Sequence, residues 1–506
     1  MTNKVSTYIR CKELQNRIIS AEKAASFITN GMTVGLSGFT KAGDAKAVPF
    51  ALIDRAKREP FKLNIFTGAS LGSDIDTMMA EVGMVHKRIP FQADRTMRQK
   101  INSGEMFFID YHLSHMAESI RQDVLEPIDV AVVEAVAITE KGKVIPTTSV
   151  GNSSIFIEHA DRVIIEINRA QPAGLEGVHD IYELAKQGSG REPIALTKVA
   201  DRIGDQGISL DPNKVIGVVF TNQPDSPSTI LPPDEETAIM AEHLIGFLQN
   251  EVEAGRLTKQ LAPLQSGIGT VANAVMYGLL DTDFEDLEVY SEVLQDAIFD
   301  LIDAGKVRFA SGSSITLSEE KMDTVFNHMD EYKDKIILRP QEISNHPEII
   351  RRLGLISINT ALEVDIYGNV NSTHVSGTQM MNGIGGSGDF ARNAKLAIFV
   401  TKSVAKNGDI SSIVPFVSHV DHTEHDVDVI VTEQGYADLR GLAPVERASL
   451  IIDKCVHPSY KAQMTEYFKE ALANGGHTPH VLSKALSWHT HYAENGTMLQ
   501  KVLQEA

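Results

Sequence analysis

The hydrophobic pattern of this chain states itself twice. Residues 20–29 carry apolar side chains at helical spacing and stop at Asn30-Gly31, a pair that does not continue a helix. The apolar run 32–36 predicts a strand feeding Ser37-Gly38, then a helix over 47–57 and a strand over 63–67 that ends at Gly68. A Ser-Gly turn, helix and strand return at Ser266-Gly267, where the strand spans 287–291 and ends at Glu292. A second series follows each: strand 129–138, turn Glu140-Lys141-Gly142, small-residue loop Gly151-Asn152-Ser153-Ser154 and strand 162–167, against strand 356–366, turn Tyr367-Gly368-Asn369, loop Gly385-Gly386-Ser387-Gly388 and strand 396–400. Ser37 to Ser266, Gly142 to Gly368 and Gly151 to Gly386 are displaced by nearly equal intervals, which chance similarity of turns would not give.

This pattern predicts an α/β protein of two tandem domains of related fold, each a largely parallel sheet covered by helices, with a site in the crevice between loops. The expected domains are 1–222 and 223–506, the second carrying Glu292. Prolines and small polar residues over 221–227, continuing to Pro232-Pro233, read as an exposed linker, after which Asp234 caps a helix over 235–249.

The break after strand 287–291 is where open α/β sheets hold ligands, and a helix is expected to begin at Leu294, so Glu292 is the leading candidate for chemistry. In the ungapped alignment of the two strands, Gly68 stands where Glu292 does, so only one copy bears the acid. Two glycine turns accompany it: Ser266-Gly267-Ile268-Gly269-Thr270-Val271-Ala272, opening a helix, and residues 383–388 with four glycines. Glycine lets backbone N–H groups approach a ligand closely, as an oxyanion requires.

Composition narrows the classes. A chain of 506 residues with 42% apolar and 23% charged residues is long enough for two cores. A formal charge of −20 opposes broad binding to nucleic acid. Cys11 and Cys455 lack metal or disulfide spacing, and neither a signal segment nor a membrane-length apolar run is seen, so a cytoplasmic location is expected.

Several motifs have competing readings. Gly267 to Ala272 fits the G-x-G-x-x-A dinucleotide fingerprint, with Glu292 roughly where a ribose-binding acid stands, but the preceding 259–265, interrupted by Pro263, reads as a poor strand. The 383–388 loop lacks the Lys-Ser/Thr ending of a phosphate loop. His419, His422 and His425, with Asp421, Glu424 and Asp426, invite a metal reading, yet no ligand motif accompanies them, and no metal is expected. His477, His480, His489 and His491 beside Trp488 are weaker still. Glu433 ends strand 427–431 and either faces the crevice or caps it; Asn345 either joins the site or caps the helix starting at Pro347.

Taken together, Ser266-Gly267-Ile268-Gly269 with Ala272-Asn273-Ala274-Val275, Tyr290-Ser291-Glu292, Ser344-Asn345-His346-Pro347-Glu348, residues 383–392 and Thr432-Glu433-Gln434-Gly435 resemble the acetyl-CoA hydrolase/transferase family of class I coenzyme A transferases, most closely its succinyl-CoA:acetate branch. The resemblance covers essentially the whole chain. It implies that Glu292 is a nucleophile forming acyl-glutamyl anhydride and glutamyl-CoA intermediates. The N–H groups of Ile268 and Gly386 would hold the oxyanion at Glu292, and the Asn345 amide the one at the substrate carbonyl. Gly267, Ile268, Gly269, Thr270, Val271, Leu362, Asn382, Gly386 and Lys406 would contact CoA, and Glu433 would be a second active-site acid. A dicarboxylic acyl group would want an arginine, for which Arg95 and Arg98 are candidates. The implied partners are acyl-CoA and short carboxylic acids, with CoA as substrate, no tightly bound cofactor, and a homodimer as the assembly. The alternatives are an acetyl-CoA hydrolase using the same glutamate and a non-catalytic CoA-sensing module.

Overall fold

The computed structural model describes residues 2–72, 74–188, 190–229 and 234–500. Pro232 and Pro233 of the expected linker lie outside them. The chain forms two compact units that are not consecutive halves: Met1–Thr229 packs with Glu288–Leu353, and Ile230–Leu287 with Gly354–Ala506. Glu292 therefore belongs to the unit built mainly from the N-terminal part of the chain.

The first unit holds a sheet ordered Phe107–Phe108, Val85–Ile89, Leu63–Phe66, Thr33–Leu36, Val130–Ile138, Arg162–Asn168 and Val215–Thr221, all parallel, with Val144–Pro146 added antiparallel to Val130–Ile138. Val130–Ile138 is buried at every position, as its near-continuous apolar run demands of a strand covered on both faces. Its one charge, Glu134, is met by Lys46 Nζ at 2.8 Å, Thr147 Oγ1 at 2.8 Å and Asn168 Nδ2 at 2.9 Å. Lys46 also donates to Asp225 Oδ1 at 2.9 Å. Asp225 is buried and Ser228 N donates to Leu317 O at 2.7 Å, so the expected linker is tied down at these two points, while Asn222, Gln223, Pro224 and Pro227 are exposed as their composition suggested.

In the second unit, Leu264–Ser266, Ile356–Thr360, Leu396–Val400 and Val429–Thr432 run parallel in that order, and Gly435–Asp438 closes the edge antiparallel. The order matches that of Thr33–Leu36, Val130–Ile138, Arg162–Asn168 and Val215–Thr221. Within the first unit, Val307–Gly312 pairs parallel with Ile336–Leu338 as Val85–Ile89 does with Phe107–Phe108. The duplicated strand order read from the sequence is present.

Three local expectations change. Leu264–Ser266 is a buried strand despite Pro263, because the proline sits just outside it and its carbonyl accepts from Ile356 N at 3.0 Å. The 356–366 run is two strands: after Thr360 the chain leaves the main sheet, and Glu363–Asp365 pairs with Val370–Asn371 and Ile413–Val414. The helix after Glu292 starts at Asp296, because Val293–Leu294 is first claimed as a strand by Ser314–Ile315. Asp234 does cap the helix Glu235–Glu253, accepting from Thr237 N at 2.9 Å.

Trp488 is core, its ring 5.4 Å from Tyr460, and His489 is buried against Glu363 at 2.9 Å. No helix among the described residues is long and apolar enough to cross a membrane.

Candidate active site

Glu292 occupies the bend between strands Leu287–Tyr290 and Val293–Leu294. Its carbonyl accepts from Ser313 N at 2.7 Å and Ser314 N at 3.0 Å, which clamps the bend. The side chain is half-buried, and its Oε1 accepts from Asn345 Nδ2 at 2.8 Å. Burial pushes the Glu292 carboxyl up to about 7, and the Asn345 hydrogen bond only partly offsets it. At neutral pH the group stands near its midpoint, able to lose its proton yet poorly solvated, which suits a nucleophile.

The duplicate position shows why only one copy carries the acid. A Cβ on Gly68 would stand 2.6 Å from Gly38 O and 3.1 Å from Gln341 Oε1, leaving no room for a side chain.

Asn345 ends the short helix Gln341–Ser344 as its C-cap and does not cap Pro347–Leu353; Glu348 N turns to His346 Nδ1 instead, at 3.3 Å. Its second amide N–H has no partner among the described residues. The turn that carries it is held from several directions. Gln341 N donates to Gly151 O at 3.0 Å, Tyr290 Oη donates to Ile343 O at 2.6 Å, and Glu342 makes a bidentate buried pair with Arg121. Arg339, fully buried just ahead of this turn, pairs with Asp180 and donates to Ser311 Oγ at 3.0 Å. The sequence reading missed Arg121, Glu342, Arg339 and Asp180. Arg121 and Glu342 lie 221 residues apart, and nothing local marks them as partners. Beside Glu292, Val293 packs in a small apolar cluster with Phe39, Ala69 and Leu113.

The raised Glu292 carboxyl has a stability consequence. The folded state holds this proton more tightly than the unfolded chain, where a glutamic acid ionises near 4.3. Stability is therefore lost as pH rises from about 4.3 to about 7. Glu292→Gln is expected to melt at about the same temperature as wild type near pH 4 and to be more stable by up to about 3–4 kcal/mol at pH 8. Calorimetric melting at the two pH values checks this, and a pH-independent difference would refute it.

The remaining candidates all belong to the second unit. In the first glycine turn, Gly267 N donates to Ile358 O at 2.9 Å, and Gly269, at φ 117°, leads into the helix Thr270–Gly278, so Thr270 and Val271 form its first turn. Ile268 is exposed on this turn. In the second, Gly385 takes φ 59° and Gly386 is buried at the start of the helix Ser387–Asn393. Neither the Ile268 N–H nor the Gly386 N–H donates to another group among the described residues. Asn382 Nδ2 donates to Ser372 O at 3.0 Å, Leu362 N donates to Asn371 O at 2.8 Å, and Lys406 is exposed in the link between Val404–Ala405 and Ile410–Ser411.

Glu433 is committed. Oε2 accepts from Ser403 N at 2.8 Å, and Oε1 accepts from Ser403 Oγ and from Gln434 Nε2 at 3.0 Å. Burial alone would raise its carboxyl, but these bonds hold it below the usual range, so it fastens the loop at Ser403 as a carboxylate. Arg95 is exposed and Arg98 half-buried in the helix Arg95–Asn102 of the first unit. His419 pairs with Asp421 at 3.2 Å and stacks on His374, and His425 is exposed. No group of His, Cys, Asp and Glu among the described residues could hold a metal ion.

The N-terminal domain profile of acetyl-CoA hydrolase/transferase proteins matches residues 2–219, and the C-terminal domain profile matches residues 322–468. The chain belongs to the acetyl-CoA hydrolase/transferase family. A succinyl-CoA:acetate CoA-transferase of Clostridium kluyveri is 54% identical over 493 residues, 97% of this chain and 91% of that protein. An acetyl-CoA hydrolase of Schizosaccharomyces pombe is 45% identical over 518 residues, 98% of this chain and 99% of that protein. The crystal structure of RipA from Yersinia pestis shares the fold, with a TM-score of 0.69 at 22% identity over 90% of this chain and 98% of that one. Membership makes the chain an enzyme of the CoA-transferase and hydrolase type with coenzyme A as substrate. The dinucleotide and non-catalytic readings fall with it, although Leu264–Ser266 does supply the strand that the fingerprint wanted.

Proposed function

We propose that this family member transfers CoA from an acyl-CoA such as succinyl-CoA to a short carboxylic acid such as acetate, with Glu292 as nucleophile. The observation that carries the reading is the half-buried Glu292 carboxyl, raised to about 7 and hydrogen-bonded to Asn345 at 2.8 Å. The Glu292 carboxylate attacks the thioester carbonyl and expels CoA thiolate, leaving an acyl-glutamyl anhydride. The thiolate attacks the glutamyl carbonyl and releases the first acid, leaving glutamyl-CoA. The acceptor carboxylate then runs the sequence in reverse and restores Glu292. The net reaction exchanges one thioester for another, with the higher-energy anhydride only as an intermediate, so no external energy source enters.

The N–H groups of Ile268 and Gly386, without a partner among the described residues, support a role as oxyanion donors, and the second Asn345 amide N–H, likewise without a partner among them, a role at the substrate carbonyl. On this reading Gly267 to Val271, Leu362, Asn382 and Gly386 contact CoA, and Lys406 meets its phosphates. Glu433 acts at one remove, holding the Ser403 loop.

The acetyl-CoA hydrolase relative favours a second reading, in which water intercepts the same anhydride. One assay separates them. Incubation of succinyl-CoA with labelled acetate is expected to give labelled acetyl-CoA, with little thiol release when acetate is omitted. Thiol release at the same rate without an acceptor would establish the hydrolase instead.

A further inference from the structure

His422 was left unused by the metal reading, and the structure gives it a different task. It is buried, with its ring centroid 4.7 Å from that of Phe399 on the strand Leu396–Val400, the two planes tilted by 42°. Its backbone is pinned on both sides: Val370 N donates to His422 O at 2.8 Å and His422 N to Val370 O at 3.0 Å. The ring Nε2 lies 3.2 Å from Ser387 Oγ and 3.2 Å from Ser372 Oγ.

The hydroxyl contacts favour one direction for these bonds. The Ser387 hydroxyl gives its one hydrogen to Ile384 O at 2.8 Å, and Ser387 N also reaches that carbonyl, at 3.3 Å. With that hydrogen on Ile384 O, Ser387 Oγ is the acceptor and the ring the donor, the arrangement in which Nε2 carries a hydrogen. Ser372 Oγ can accept from the same N–H and turn its own hydrogen to Asp421 Oδ2, 3.4 Å away. Asp421 is itself anchored by Ser372 N at 2.7 Å and Thr373 Oγ1 at 2.8 Å. The links run from Asp421 through Ser372 and His422 to Ser387 and Ile384.

The far end of these links is the second glycine loop. Ser387 closes a turn back to Ile384 across Gly385 and Gly386, and Asn382 Nδ2, bound to Ser372 O at 3.0 Å, ties the loop's start to the same strand connection. Glycines at both central positions leave the turn with little stiffness of its own. Its shape, and with it the aim of the Gly386 N–H, depends on Ser387 being held.

We infer that His422 is a positioning residue of the transfer reaction, its Nε2–H holding Ser387 so that the glycine loop keeps the aim of the Gly386 N–H. The inference rests on the reading of Gly386 as an oxyanion donor, and its test is built to fail separately from that reading. The variants are His422→Leu, which removes the donor, His422→Gln, which can return an N–H at the Nε2 position, and Ser387→Ala, which removes the acceptor.

Two readouts are taken on each full-length variant: amide hydrogen exchange of residues 383–390, and kcat and KM for acyl-CoA. His422→Leu and Ser387→Ala are each expected to speed exchange in 383–390 by about tenfold while leaving 264–274 unchanged. Both are expected to lower kcat by about tenfold or more with KM within about twofold, since a misaimed donor is felt in the transition state. His422→Gln should recover most of both, and the double variant should be no worse than the poorer single one. Unchanged exchange in His422→Leu or Ser387→Ala overturns the inference, whatever the activity. So does faster exchange with kcat intact, or additive losses in the double variant. Failure of wild type to transfer CoA in a Glu292-dependent way would refute the proposed function while leaving the exchange result to judge the loop. If His422→Leu does not fold, Ser387→Ala and His422→Gln decide the matter.

Discussion

Replacing Glu292 by Gln is expected to lower acyl exchange by at least about 10⁴-fold, because an amide keeps the shape of the side chain but lacks the nucleophile. The contact with Asn345 survives, since the amide oxygen of Gln can still accept from Nδ2, so the loss reports chemistry and not collapse of the site. In the wild type, acyl-CoA without acceptor should leave a covalent adduct on the peptide containing Glu292, trapped by hydroxylamine and read by mass spectrometry. Exchange at the wild-type rate in the Gln variant would end the assignment. The same residue is expected to set the acid limb of the pH profile. With the carboxyl at about 7 in the free enzyme, kcat/KM is expected to fall tenfold per pH unit below that value, because only the ionised form attacks.

Asn345→Ala is expected to cost about 10²–10³-fold in kcat, the usual effect of removing one oxyanion donor. It should also leave a second mark. The Asn345 amide is the group that favours ionised Glu292 against burial, so its loss should displace the acid limb of kcat/KM to higher pH. A rate loss with an unshifted limb would mean that the amide acts on substrate alone; a shift with kcat intact would mean that it only tunes Glu292. Asn345 is backed by the Arg121–Glu342 pair and the Tyr290–Ile343 bond, so the variant should keep its fold.

The position of Glu292 was legible from one chain because it depends on local order. A strand run ending in an acid, preceded by a Ser-Gly turn and helix that echo an earlier copy, needs no knowledge of distant partners. The parallel sheets followed from the same signal, since apolar runs such as that of Val130–Ile138 suit strands buried on both faces. The glycine turns were visible for a similar reason: side-chain-free positions in series mark backbone held close to something else.

What the sequence could not decide were matters of partnership. Asn345 could as well have capped the helix at Pro347, and only the tertiary structure shows its amide donating to Glu292. Pro263 looked like a strand breaker until the register with Ile356 placed it one residue outside the ladder. His422 sat in a polar run resembling a surface loop, yet it lies buried between two serines from different segments. The grouping of Glu288–Leu353 with the N-terminal unit likewise follows from contacts far apart in the chain. Periodicity and turn chemistry are written within a few neighbouring residues, so the sequence by itself determined the strands, the duplicated order and the acid. Hydrogen-bond direction, burial of charge and the donor that faces each acceptor depend on groups brought together from remote positions, and only the tertiary structure decided them.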